Sequence, residues 1–155
     1  MRASFLLLAT LLPTAALAEE QHQVSVMIAP TIGVSDFAKT QFDITQSYTY
    51  RVTQGFYAGI EAQEGMGNYF RFSLGARTGY AFELPNLPLT IGPDARIGFS
   101  TIDGDGAFNL RLGIEAQYAF NQHFKLVARP IGVNLSMGTL ESHSFDILFG
   151  VGYAF

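Results

Sequence analysis

Apolar and polar side chains alternate along most of this chain. From Tyr69 to Glu83 the even positions are Phe70, Phe72, Leu74, Ala76, Thr78, Tyr80 and Phe82. The odd positions are Tyr69, Arg71, Ser73, Gly75, Arg77, Gly79, Ala81 and Glu83. A strand sends successive side chains to opposite faces, so this stretch predicts one long strand with an oily face and a face of small and charged residues. The split recurs. Phe108, Leu110, Leu112, Ile114, Ala116, Tyr118 and Phe120 alternate with Asn109, Arg111, Gly113, Glu115, Gln117 and Ala119. Phe42, Ile44, Tyr48, Tyr50 and Val52 alternate with Gln41, Asp43, Thr45, Ser47, Thr49 and Arg51. Eight strands follow, at 22–33, 41–52, 55–63, 69–83, 88–100, 107–120, 123–137 and 143–155. Their connectors are rich in Gly, Asn, Asp and Pro, as turns require. In the seventh strand the alternation slips near Arg129-Pro130-Ile131, which predicts a β-bulge.

The start of the chain has a different pattern. MRASFLLLATLLPTAALA has a positive residue, a short apolar centre and an Ala-Leu-Ala cleavage signature before Glu19. This predicts a secretory signal peptide over 1–18 and one domain over 19–155. No later apolar run approaches the ~20 residues a membrane helix needs. The chain has no cysteine, which excludes a disulfide framework and a cysteine metal site. Its formal net charge is −4 and its basic residues are scattered, so nucleic acid is an unfavourable partner. Fourteen Phe, seven Tyr and sixteen Gly agree with an all-β protein.

Alternation alone leaves two architectures open: a soluble barrel with an apolar core and a membrane barrel with an apolar skin. Three features select the second. First, Gly59, Gly75, Gly79, Gly92, Gly98, Gly113, Gly132, Gly150 and Gly152 fall on the polar face. Glycine weakens a solvated strand but makes room inside a narrow barrel. Second, that face carries Arg51, Arg71, Arg77, Arg96, Arg111, Lys125 and Arg129 with Asp43, Glu61, Glu83, Asp94, Glu115 and Asp146. The set is nearly neutral, and Arg outnumbers Lys, as buried pairing favours. The expected pairs are Glu61 with Arg71 and Glu115 with Arg129, with Arg77, Asp94, Arg96 and Arg111 at mid-height. Third, the chain ends with Ile147, Phe149, Val151, Tyr153 and Phe155 on one face of a final strand.

That ending resembles the C-terminal targeting strand of bacterial outer-membrane barrels. Over its mature length the chain is similar to the small eight-stranded barrels of the outer membrane protein X and outer membrane protein A membrane-domain type. The resemblance implies an all-β, eight-stranded, antiparallel, up-and-down transmembrane barrel in the outer membrane, monomeric, with both termini periplasmic. It also implies contact with lipid and lipopolysaccharide, and handling by periplasmic chaperones and the barrel assembly machinery, which reads Ile147 to Phe155. Two aromatic belts, one led by Tyr50, Phe82, Phe120 and Tyr153 and the other by Phe42, Phe70, Phe99 and Phe145, suit the two interfaces. The outward loops at 34–40, 64–68, 101–106 and 138–142 are shorter than in many members of that family.

An eight-stranded barrel is just wide enough to be filled by side chains. The expected function is therefore structural and non-catalytic, with a charge-paired plug, no cofactor and no metal. The alternatives are a narrow ion channel and a lipid A-modifying hydrolase. Some members of the family are lipid A deacylases or palmitoyl transferases, and a serine nucleophile needs an adjacent base and a third group. The candidate is Glu141-Ser142-His143. The deacylase pattern, however, sets His and Ser two apart on one face, whereas position 145 is Phe and Ser144 points to the other side. Asp103-Gly104-Asp105-Gly106 is a fragment of a calcium loop without its distal Glu, read as a turn.

Overall fold

The computed structural model describes residues 21–34, 41–67, 70–102, 105–138 and 142–155; the segment 1–18, expected to be a signal peptide, lies outside them. Nine elements are seen: β1 His22–Gly33, β2 Gln41–Arg51, β3 Phe56–Met66, β4 Arg71–Tyr80, β5 Phe82–Glu83, β6 Leu89–Ile102, β7 Asp105–Ala119, β8 Phe124–Gly138 and β9 Ser142–Ala154. Each pairs antiparallel with its neighbours, β1 pairs β9, and β4 pairs β6. The sheet therefore closes on itself as an eight-stranded meander, with β5 a short continuation of β4.

Closure runs to the last residue. The His22 N–H donates to the Phe155 carbonyl at 3.1 Å, and the Phe155 N–H donates to the His22 carbonyl at 2.9 Å. A ring without an edge satisfies its backbone with no help from water, as a hydrocarbon surround requires.

The large apolar side chains point outward. Phe99, Phe120, Ile131, Phe149 and Val151 are all more than half exposed. The interior is polar: Asp43, Glu61, Arg77, Asp94, Arg96, Arg111, Arg129 and Asp146 are buried. A continuous apolar skin around the whole sheet far exceeds the patches a soluble monomer exposes, so the natural surround of this barrel is lipid.

Glycine gives the inner face its curvature. A Cβ on Gly59 would lie 1.9 Å from the Tyr48 carbonyl oxygen, and one on Gly150 would lie 1.9 Å from that of Val26. At both positions the neighbouring backbone occupies the space of a side chain, so the strands bend tightly inward.

Several boundaries differ from those the sequence predicts. The strand expected over 69–83 is interrupted at Ala81. The register is the same on both sides of the gap, Gly79 facing Asp94 and Phe82 facing Ile91. The pairing lost beside it is that of Tyr80 with Pro93, which has no N–H to give the ladder. On its other side Ala81 continues the β3 register, donating to the Gly55 carbonyl at 2.8 Å. The expected turn at 64–68 is largely strand: Gly65 is an inward-facing strand position paired with Asp43, not a turn glycine. At the opposite end Gly55, with φ +89°, makes a three-residue turn between Val52 and Phe56 where two residues were expected. Asp105 and Gly106 pair with Ile102 and Thr101, so half of the Asp-Gly-Asp-Gly segment is strand; Asp103 and Gly104 lie outside the described residues.

The slip at Pro130 is one extra residue in β8 relative to both neighbours. Ile114 faces Ile131 while Ala116 faces Ala128, and Arg129 faces Leu148 while Gly132 faces Asp146. Before the bulge the odd positions of β8 face inward, and after it the even ones do.

Candidate functional site

The lumen holds the molecule's concentrated chemistry. The register sets Arg77 beside Arg96, and Arg96 beside Arg111, across three adjacent strands. Three neighbouring guanidiniums repel one another unless carboxylates intervene. Glu61 reaches over from β3 and meets these three and Arg129: both of its oxygens accept from Arg111, and it lies 3.2 Å from Arg129, 3.4 Å from Arg96 and 3.7 Å from Arg77. Asp94 lies 2.9 Å from Arg111, 3.0 Å from Arg129 and 3.2 Å from Arg77. Glu115 accepts from Arg77 and, at 3.2 Å, from Arg129. None of these seven residues is more than 4% exposed.

Neutral groups complete this layer. Arg77 Nη1 donates to Ser47 Oγ at 2.9 Å and stacks 5.2 Å from the Tyr57 ring centroid. Arg96 Nη2 donates to Asn109 Oδ1. Desolvating an ion costs several kcal/mol, a loss offset only where each charge has several charged and hydrogen-bonding partners. A guanidinium offers five donors in a fixed fork and so can serve two or three acceptors at once, which a lysine ammonium does less well.

Arg71 does not pair with Glu61. Its cross-strand partner is Gly65, and Glu61 faces Gly75, because β3 runs on to Met66 and moves the turn outward. Arg71 Nη2 instead reaches Asp43 at 2.6 Å, where Gln63 Nε2 at 2.9 Å and the Thr31 hydroxyl also donate. Asp146 accepts from Asn134 Nδ2 at 3.0 Å. Arg129 and Glu115 do meet, across the bulge.

Arg51, Glu83 and Lys125 stand apart from this buried set. They sit where β2, β5 and β8 reach the end of the barrel that holds Gln21 and Phe155. There they line an open basin of about 290 Å³ with Thr90 and Gln117 beneath the Leu84–Leu89 turn. Lys125 Nζ donates to Gln23 Oε1 at 3.2 Å.

The lumen is not wholly polar. Met27, Ala29, Val127 and Leu148 form a buried apolar cluster on β1, β8 and β9. Val127 and Met27 share the inward parity of Arg129 and Ser25, so strand parity would have placed them inside had it been applied to apolar residues as well as to charged ones.

Ile147, Phe149, Val151 and Tyr153 face outward on β9, with Phe155 closing against β1. Glu141 lies outside the described residues. Ser142 is buried on the inner face while His143 is exposed on the outer one, so their side chains leave β9 in opposite directions. Among the described residues no group of three or more His, Cys, Asp or Glu could hold a metal ion.

No protein-family model matches the chain, and no curated protein does either. Solved structures match in fold. Neisserial surface protein A, NspA, is 18% identical over 87% of this chain and 97% of its own, with a TM-score of 0.68. The N-terminal β-barrel domain of Pseudomonas aeruginosa OprF is 15% identical over 86% of this chain and 97% of that one, with a TM-score of 0.63. The outer membrane enzyme PagL is 13% identical over 84% of this chain and 97% of its own, with a TM-score of 0.53. The chain thus has the fold of the small eight-stranded outer-membrane barrels, a fold that serves more than one function.

Proposed function

We propose that this chain is a structural, non-catalytic wall protein of the outer membrane whose lumen is plugged by its own charges. One observation carries the reading: four guanidiniums and three carboxylates interlock at mid-height, none of them more than 4% exposed. An ion crossing this layer would have to part several ion pairs in a low-dielectric interior. The residues most suited to ion transfer are therefore used to close the path. Gln21 and Phe155 lie at one end of the barrel, which we assign to the periplasmic side with both termini, with lipid and lipopolysaccharide around the skin. The C-terminal strand from Ile147 to Phe155 is the segment for the assembly machinery and its chaperones to read. The barrel carries this out as a monomer.

Planar-bilayer recording tests the reading. Purified protein should give no discrete conductance steps, whereas reproducible single-channel steps would make the lumen a pore. A lipid-modifying activity has weak geometric support, because Ser142 and His143 face opposite sides of β9. Mass spectra of lipid A from cells with and without the protein should be identical.

A further inference from the structure

Where β4 gives way to β5, the wall of the barrel carries a groove that the charge plug does not use. Its volume is about 170 Å³, and Gln54, Gly55, Tyr80, Ala81, Phe82 and Glu83 line it. The local sequence builds it. Gly55, at φ +89°, turns the chain between β2 and β3. A Cβ there would lie 2.8 Å from Tyr80 Cζ, so the missing side chain is what lets the Tyr80 ring lie against the turn. The Ala81 N–H, bonded to the Gly55 carbonyl, ties the break in the strand to the same turn. Phe82 takes the same outward face as Tyr80, and the two ring centroids are 4.7 Å apart with their planes at 53°.

These groups are complementary to one kind of ligand. Aromatic ring faces are electron-rich and attract a cation, above all an organic ammonium. Glu83 brings a full negative charge to the same groove, and its side chain has no ion-pair or hydrogen-bond partner among the described residues. Gln54 adds an amide carbonyl, which can accept an ammonium N–H. A hard metal ion seeks roughly six or more oxygens, and one carboxylate beside two rings does not supply them. The set therefore selects an organic ammonium over a metal ion.

Position narrows the source of that ammonium. Tyr80 and Phe82 are exposed on the apolar skin, at the end of the barrel that holds Gln21 and Phe155. Rings at the end of a membrane strand lie at the depth of the lipid headgroups. A cation that reaches both rings from the skin side comes from the membrane, not from the lumen.

We propose that this groove binds the ethanolamine headgroup of a phospholipid, its ammonium held between the Tyr80 and Phe82 rings and the Glu83 carboxylate. The lipid covers the break at Ala81 from outside. The inference rests on the reading of this chain as a lipid-embedded wall, and it names one lipid of that surround.

The mature chain, refolded in detergent and mixed with equal amounts of phosphatidylethanolamine and phosphatidylglycerol of the same acyl chains, provides the test. Native mass spectrometry reads which lipid is retained first. The natural chain should favour phosphatidylethanolamine by about fivefold. Glu83→Gln should bring the ratio close to one. Phe82→Leu keeps the apolar contact without the ring face and should roughly halve the preference. Glu64→Gln removes an outward carboxylate at the opposite end, between Ile44 and Phe72, and should leave the ratio unchanged. Equal retention of the two lipids by the natural chain, a preference that Glu83→Gln or Phe82→Leu leaves intact, or one that Glu64→Gln abolishes would overturn the proposal. The readout is independent of conductance: loss of the preference leaves the plug standing, and a conducting lumen leaves the lipid site standing.

Discussion

Glu61 meets four guanidiniums, and no other carboxylate of the lumen meets as many. Glu61→Gln leaves four cations facing two carboxylates at mid-height, so it should destabilise the folded barrel by about 3–5 kcal/mol, the usual result of breaking a buried pair from one side. Urea unfolding of the refolded protein measures this, and the double variant Glu61→Gln/Arg111→Met should recover part of the loss. Position 148 separates core from skin within one strand. Leu148→Ala opens a void in the buried apolar cluster and should cost about 2–5 kcal/mol. Ile147→Ala, on the lipid side of the same strand, should cost far less, because acyl chains fill the space it vacates. At this scale the alternation in the sequence reveals which face each side chain takes, because parity is a local property. It does not reveal partners: Arg71 belongs to Asp43 rather than Glu61 because its partner on β3 is Gly65, four residues beyond Glu61, and glycine at position 65 reads as a turn whether it is in one or not.

Between elements, what matters is register. The single extra residue in β8 lets Lys125, Val127 and Arg129 face inward on one side of the bulge, and Gly132, Asn134 and Ser136 on the other. Deleting Pro130 removes that offset and drives one of the two sets into lipid. The deletion variant should fail to show the heat-dependent gel mobility of a closed barrel; normal mobility would mean the bulge is dispensable. The C-terminal strand has two separable roles. Phe155 closes the ring through two backbone hydrogen bonds to His22, and it ends the outward apolar row. Removing Phe155 should cut assembly in cells severely while leaving detergent refolding largely intact, as membrane fractionation alongside in-vitro refolding would show. The slip at Pro130 is legible because the polar positions change parity across it, from Lys125 and Arg129 to Asn134 and Ser136. The gap at Ala81 was not, because it arises from a proline on the neighbouring strand.

For the molecule as a whole, one apolar surface and one polar surface exist, and everything proposed depends on which of them is outside. Composition and terminus point to lipid outside, and the exposed Phe and Val side chains of the closed sheet agree. The most direct test uses a feature of the chain itself: it contains no tryptophan. Single tryptophans at Leu112, Phe149 and Tyr153, in protein inserted into vesicles of brominated lipids, report depth by quenching. The account predicts blue-shifted emission at all three, with strongest quenching by mid-chain bromines at 112 and 149 and by shallow bromines at 153. Unquenched, red-shifted emission from 112 and 149 in folded protein would place that face in water and contradict it.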